Sequence, residues 1–233
     1  MPDLVADDRP AGLGNGRGGS DIGHPRRCKW NKRRVALRPG TQWRAGCLLH
    51  TGRGSAMTIL VTGFGPFGEV ADNPSARLVR ALASDVDVYA RVLDTSYNRA
   101  ARRLCNLMDE VKPSVVLSFG VGRSRQVMEL ERTACNRNSC QIADVDGDLR
   151  LDQPIAPGFE DLQTVFDVDA LAASVGCGTS DDAGGYVCNH LYFEGLRHLL
   201  DTPQAGRMLF AHIPPEGDCL PQARALLALL RGV

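Results

Sequence analysis

TILVTGFGPFGEVADNPS, residues 58–75, reads as a strand, a glycine-rich turn and the opening of a helix. Thr58 to Thr62 is a short apolar and β-branched run bounded by glycine, the pattern of a buried strand. Asn73 can cap a helix through its side-chain oxygen, and Pro74 suits the first helical position, where its missing N–H costs nothing. The helix is predicted to continue to about Ala83.

The same alternation repeats along the chain. Asp87 to Leu93 reads as a second strand, and Tyr97 to Val111 as an amphipathic helix stopped by Lys112-Pro113. Ser114 to Phe119 (SVVLSF) is a third strand ending in Gly120, and residues 126–132 are extended or short-hairpin material. A loop with Asp144, Asp146 and Gly147 follows, then a short helix near 167–174. Tyr186 to Leu200 reads as helix, Arg207 to His212 as strand and Gln222 to Leu230 as a terminal helix. Such alternation predicts a single three-layer αβα domain with a mostly parallel twisted sheet, without internal repeats.

Gly63-Phe64-Gly65-Pro66-Phe67-Gly68 also spells G-x-G-x-x-G, the turn that cradles a dinucleotide when it opens a helix directly. Here the helix signal begins only at Asn73, and Pro66 removes a donor from the supposed cradle. The nearest acidic residue at the end of the second strand is Asp94, nearer 30 residues on than the expected ~20. The nucleotide reading fails its structural context.

Net charge is zero, but residues 1–56 carry 11 Lys+Arg against 4 Asp+Glu, and the remainder 16 against 23. That segment lacks helical or strand periodicity and is rich in Gly, Pro and Arg, so it has little apolar surface to offset the entropy of ordering. Its charges gather on no recognisable nucleic-acid-binding element. It also has no apolar targeting core, and Asp3, Asp7 and Asp8 do not suit a transit peptide. Residues 1–56 are expected to be a disordered extension, with Met57 the natural start and 57–233 the folded domain. No apolar run approaches the roughly 20 residues that span a bilayer, so the expectation is a cytoplasmic protein with neither membrane nor nucleic acid as partner. Eight cysteines without CxxC or histidine pairing do not form a zinc pattern. Most are expected to be reduced thiols, with Cys105, Cys135, Cys177 and Cys219 as small core residues.

Cys188 differs. In GGYVCNHLYFEGLRHLL, residues 184–200, two glycines allow a tight turn that delivers it to a helix start. There the helix dipole and free N–H groups favour a thiolate and can hold an oxyanion. A thiol nucleophile needs a base from elsewhere in the chain. His190 lies about 200° round the helix from Cys188, and His198 roughly 15 Å along it, as an exposed end residue. His212 closes an apolar strand before Ile213-Pro214-Pro215, and α/β ligand sites lie at the carboxyl ends of strands. It is the predicted base. Spacing leaves the orienting carboxylate open among Glu129, Glu131, Asp144 and Asp146.

Four stretches together resemble the pyroglutamyl peptidase I (pyrrolidone-carboxylate peptidase) family of cysteine peptidases. They are Thr62-Gly63-Phe64-Gly65-Pro66-Phe67-Gly68 with Asn73-Pro74-Ser75; Glu131-Arg132-Thr133-Ala134-Cys135-Asn136; Gly185-Tyr186-Val187-Cys188-Asn189; and His212-Ile213-Pro214. The resemblance implies a Cys188–His212–Glu131 triad, with Phe64 and Phe67 sandwiching a flat lactam and Asn73 hydrogen-bonding the lactam amide. It further implies an omega-peptidase that removes N-terminal pyroglutamate from small peptides through a thioester, with no metal or cofactor. One departure is sharp: where the family has an oxyanion-stabilising arginine, this chain has Gln141, within Cys140-Gln141-Ile142-Ala143-Asp144-Val145. That substitution keeps open a second reading, a weakly active or non-catalytic homologue that binds pyroglutamyl-type ligands. Family members form tetramers; the short tail after His212 leaves a homo-oligomer open here.

Overall fold

The computed structural model describes residues 57–202 and 206–232; the expectation for residues 1–56 lies outside the described residues. Strand β1 (Ile59–Phe64) is wholly buried. It leads through the glycine-rich turn to helix α1 (Pro74–Leu82), whose N-cap is Asn73. Strand β2 (Val88–Leu93), helix α2 (Tyr97–Val111) and strand β3 (Val115–Val121) follow. Next come the short strands β4 (Glu129–Glu131), β5 (Thr133–Ala134) and β6 (Leu162–Gln163), and helix α3 (Val168–Val175). Strand β7 (Gly178–Ser180), helix α4 (Val187–Asp201), strand β8 (Arg207–Ile213) and helix α5 (Leu220–Leu230) complete the order.

Six strands form the central sheet in the order β2-β1-β3-β8-β4-β7, and β5 pairs separately with β6. Pairing is parallel throughout the main sheet except between β4 and β8. Period-two alternation sends successive side chains to opposite faces. Ile59, Val61, Val115 and Leu117 therefore pack with α1, α3 and α5 on one side. Leu60, Val116, Met208 and Phe210 pack with α2 and α4 on the other. The result is a three-layer αβα domain, as the alternation of elements predicts. Among the described residues no helix is long and apolar enough to cross a membrane.

The chain leaves β1 toward β2 on one side and returns to β3 on the other, so strand order switches between β1 and β3. Such switch points open a crevice outside the carboxyl ends of the strands. The loop after β1, the loop after β3 and the end of β8 all meet there.

Candidate active site

A cavity of about 330 Å³ lies at this crevice, and Phe64, Phe67, Asn73, Cys188 and His212 are on its wall. They arrive from three separate parts of the chain. The β1–α1 turn brings the two rings, the first turn of α4 brings Cys188, and the end of β8 brings His212.

Cys188 reaches the sheet because of glycines. Gly184 has φ +83°, a conformation that glycine adopts without strain, and Gly185 packs so close to Ser139 that a Cβ would stand 2.5 Å from its carbonyl oxygen. Tyr186 is the N-cap of α4, and no side chain caps that helix, so first-turn N–H groups are open beside the half-buried thiol. Asn189 anchors the turn from behind. It accepts from Cys135 N at 2.9 Å and donates to the carbonyls of Cys135 and Arg137 at 2.8 and 2.9 Å.

Glu131 is fully buried, and its Oε1 lies 2.7 Å from Nδ1 of His212. In the antiparallel β4–β8 ladder Glu129 is directly opposite His212, and Glu131 is opposite Phe210. Glu129 and Glu131 share a face, as their parity predicts, but Glu129 pairs with Arg125 while Glu131 takes the diagonal to the imidazole. Arg125 also donates to Glu131 Oε1 at 3.2 Å, to Ser180 Oγ at 2.9 Å and to the Asp182 carbonyl at 3.0 Å. Tyr192 donates to the Glu131 carbonyl at 2.9 Å, fixing the strand from the opposite side.

Since Nδ1 faces Glu131, Nε2 of His212 is left for Cys188, which lines the same cavity. Burial of the ring opposes protonation. The hydrogen bonds to Cys188 and Glu131, backed by the charges of both, outweigh it and carry the imidazole up to about 9. His190 behaves in the opposite way. Burial first, then the positive charges of Arg150 and Arg197, hold it down at about 4, and its Nδ1 lies 3.2 Å from Asn138 Oδ1.

The remaining candidates separate clearly. Asp144 is a helix and turn former: its carboxylate accepts from Tyr97 N at the start of α2 and from the N–H groups of Asp146 and Asp148. Asp146 pairs with Arg99. His198 is partly buried and bonded to Asp109 at 2.9 Å, which corrects its expected exposed position. Cys105, Cys177 and Cys219 are half-buried free thiols, not fully buried ones.

Asn73 is buried and largely engaged. Its Oδ1 accepts from Ser75 N at 3.0 Å and from Ser75 Oγ at 2.8 Å, and its Nδ2 donates to the Gly65 carbonyl at 2.9 Å. One Nδ2 hydrogen is uncommitted. Gln141 is exposed, although Cys140 and Ile142 on either side of it line the cavity. It does not present its amide to the pocket, as a replacement for an oxyanion arginine would.

Among the wall residues that the sequence does not announce are Thr95, Arg123, Arg125 and Tyr186. Tyr186 lies 6.4 Å from Phe67, ring to ring, and donates to the Ala143 carbonyl at 3.0 Å, closing one side of the pocket. Its place beside Cys188 in the glycine-turn motif was the available signal. Arginines in a loop carry none, because most such charges are solvated.

The profile of the pyroglutamyl peptidase family matches residues 57–226. The pyrrolidone-carboxylate peptidase of Pseudomonas fluorescens is 35% identical over 167 residues, covering 67% of this chain and 78% of the relative. That of Cupriavidus pinatubonensis is 37% identical over 193 residues, covering 76% and 89%. Among solved structures, pyrrolidone carboxyl peptidase from the hyperthermophile Pyrococcus furiosus matches with TM-score 0.69 at 25% identity, over 75% of this chain and 98% of that one.

Proposed function

The chain belongs to the pyroglutamyl peptidase family of hydrolases, and from that premise we propose that it cleaves N-terminal pyroglutamate from small peptides with Cys188, His212 and Glu131. The observation that carries this reading is the position of His212, bonded to Glu131 through Nδ1 at 2.7 Å and sharing the wall of one cavity with Cys188.

The lactam enters between Phe64 and Phe67, whose flat faces suit a flat ring. Asn73 has its oxygen engaged twice, so what it offers is one N–H, which suits the lactam carbonyl rather than the lactam N–H. His212 Nε2 takes the Cys188 proton. Sγ then attacks the acyl carbonyl that joins the lactam to the next residue, and the carbonyl π electrons move onto oxygen. The uncapped first turn of α4 supplies N–H donors and a dipole where that negative charge develops. As the tetrahedral species collapses, the C–N bond breaks and His212 gives its proton to the departing amine. Water, deprotonated by the same imidazole, hydrolyses the thioester, releasing pyroglutamate and restoring the thiol. Glu131 holds the ring in its tautomer and supports the charge it acquires.

The catalytic unit is residues 57–233, and the site needs no metal or cofactor. A cytoplasmic location accords with this chemistry, since a working thiol must stay reduced. Gln141 favours the alternative of a binding protein without turnover; the intact Cys188–His212–Glu131 set opposes it. Release of a fluorescent amine from a pyroglutamyl amide separates the two.

A further inference from the structure

A second cavity, of about 220 Å³, adjoins the first and shares Phe67, Val121 and Arg123 with it. Its other walls include Arg77, Asp72 and Pro215. Pro215 lies three residues beyond His212, on the loop leaving β8. Under the proposed reaction His212 protonates the departing amine, so the peptide beyond the scissile bond extends on the His212 side. The second cavity, with Pro215 of the loop after His212 on its wall, offers space for that next residue.

The charges on its wall differ in how far they are neutralised. Arg77 is paired with Asp72 at 2.7 Å. Arg125, two residues along the same loop as Arg123, is held by Glu129, Glu131 and Ser180. Arg123 is exposed, and its guanidinium stacks 5.6 Å from the centre of the Phe67 ring. Among the described residues no carboxylate pairs with it. A cation anchored on an aromatic face keeps its fork of donors available to a partner. The cavity thus carries one uncompensated positive charge at the junction of the two chambers.

We propose that Arg123 is a specificity residue on the leaving-group side, recognising a carboxylate next to the pyroglutamyl unit. This rests on the peptidase reading for the direction of the substrate. The carboxylate belongs either to an acidic second residue or to the free chain end of a pyroglutamyl dipeptide. Asp72 does not repel it decisively, because Arg77 already neutralises that side chain.

The test uses four peptides: pyroglutamyl-glutamate amide, pyroglutamyl-alanine with a free carboxylate, pyroglutamyl-alanine amide and pyroglutamyl-lysine amide. Kd is measured by calorimetry on the Cys188→Ala protein, and kcat/KM on the wild type. At least one carboxylate peptide should bind about three- to fivefold more tightly than the neutral amide, the scale of an exposed ion pair, and the lysine peptide less tightly. The preference should fade in high salt and disappear in Arg123→Gln. Preference for the glutamate peptide alone assigns the site to the side chain, and for the free-acid peptide alone to the chain end. Equal Kd for all four, or a preference that survives Arg123→Gln, overturns the proposal. Absence of turnover in the wild type with the binding preference intact overturns the hydrolase reading and leaves the carboxylate site standing.

Discussion

A Cβ placed on Gly120 would stand 2.7 Å from Sγ of Cys188 and 2.9 Å from the Phe210 ring. Gly120 pairs with His212 in the β3–β8 ladder, so the bare backbone at this point lets the thiol lie against β3, next to the strand that carries the imidazole. Gly120→Ala should push Sγ away from His212. A misplacement of about 1 Å can cost roughly a hundredfold in rate, and a loss of that order in kcat is expected. The melting temperature should fall as well, as overpacking usually costs about 1–3 kcal/mol. Steady-state kinetics with a folded variant checks this; an unchanged kcat would mean that the thiol works from another position.

The imidazole of His212 is raised from 6.5 to about 9. Its protonated form is therefore favoured by the fold below its ordinary value, and that stabilisation is lost as pH rises through about 9. The same proton must reach the leaving amine, so kcat/KM should decline across pH about 9. Glu131→Gln removes one of the charges that hold the proton and should shift the alkaline limb to lower pH. A limb that does not move in Glu131→Gln would assign it to another group.

How much of this was legible in the sequence depends on how local each signal is. Helix α2 was readable to its ends, since its apolar period and the Lys112-Pro113 stop both lie within the segment. Asn73 and Pro74 likewise announced α1. Strand β7 was not readable: three residues, Gly178-Thr179-Ser180, carry no apolar pattern, and the strand exists only because β4 lies beside it. In the site, glycine turn and strand end pointed to Cys188 and His212, while parity narrowed the carboxylate without choosing. The choice between Glu129 and Glu131 is made by the register of β4 against β8, which places Glu131 diagonal to His212 and which no local pattern discloses. Gly120 was visible as a strand end, but not as the place where a helix start approaches.

Gln141 is exposed between two residues that face the cavity. Gln141→Arg should therefore leave kcat on a pyroglutamyl amide within about twofold, because a side chain outside the pocket does not meet the developing charge. A rise of about tenfold, worth ~1.4 kcal/mol, would show instead that position 141 can turn inward and supply the missing guanidinium.

The family match begins at Met57. A chain starting there should fold with the same melting temperature and show the same kcat/KM as the full-length chain. Poor solubility or clearly lower activity of the shorter chain would make residues 1–56 part of the working enzyme.

The central claim is that Cys188 is the nucleophile of a pyroglutamyl peptidase. The measurement that bears on it most directly is release of a fluorescent amine from a pyroglutamyl amide, by the wild-type chain and by Cys188→Ala, with circular dichroism confirming that both are folded. Steady turnover by the wild type and none above background by the variant is the expected result. A silent wild type, or a variant that keeps near-wild-type activity, would contradict it.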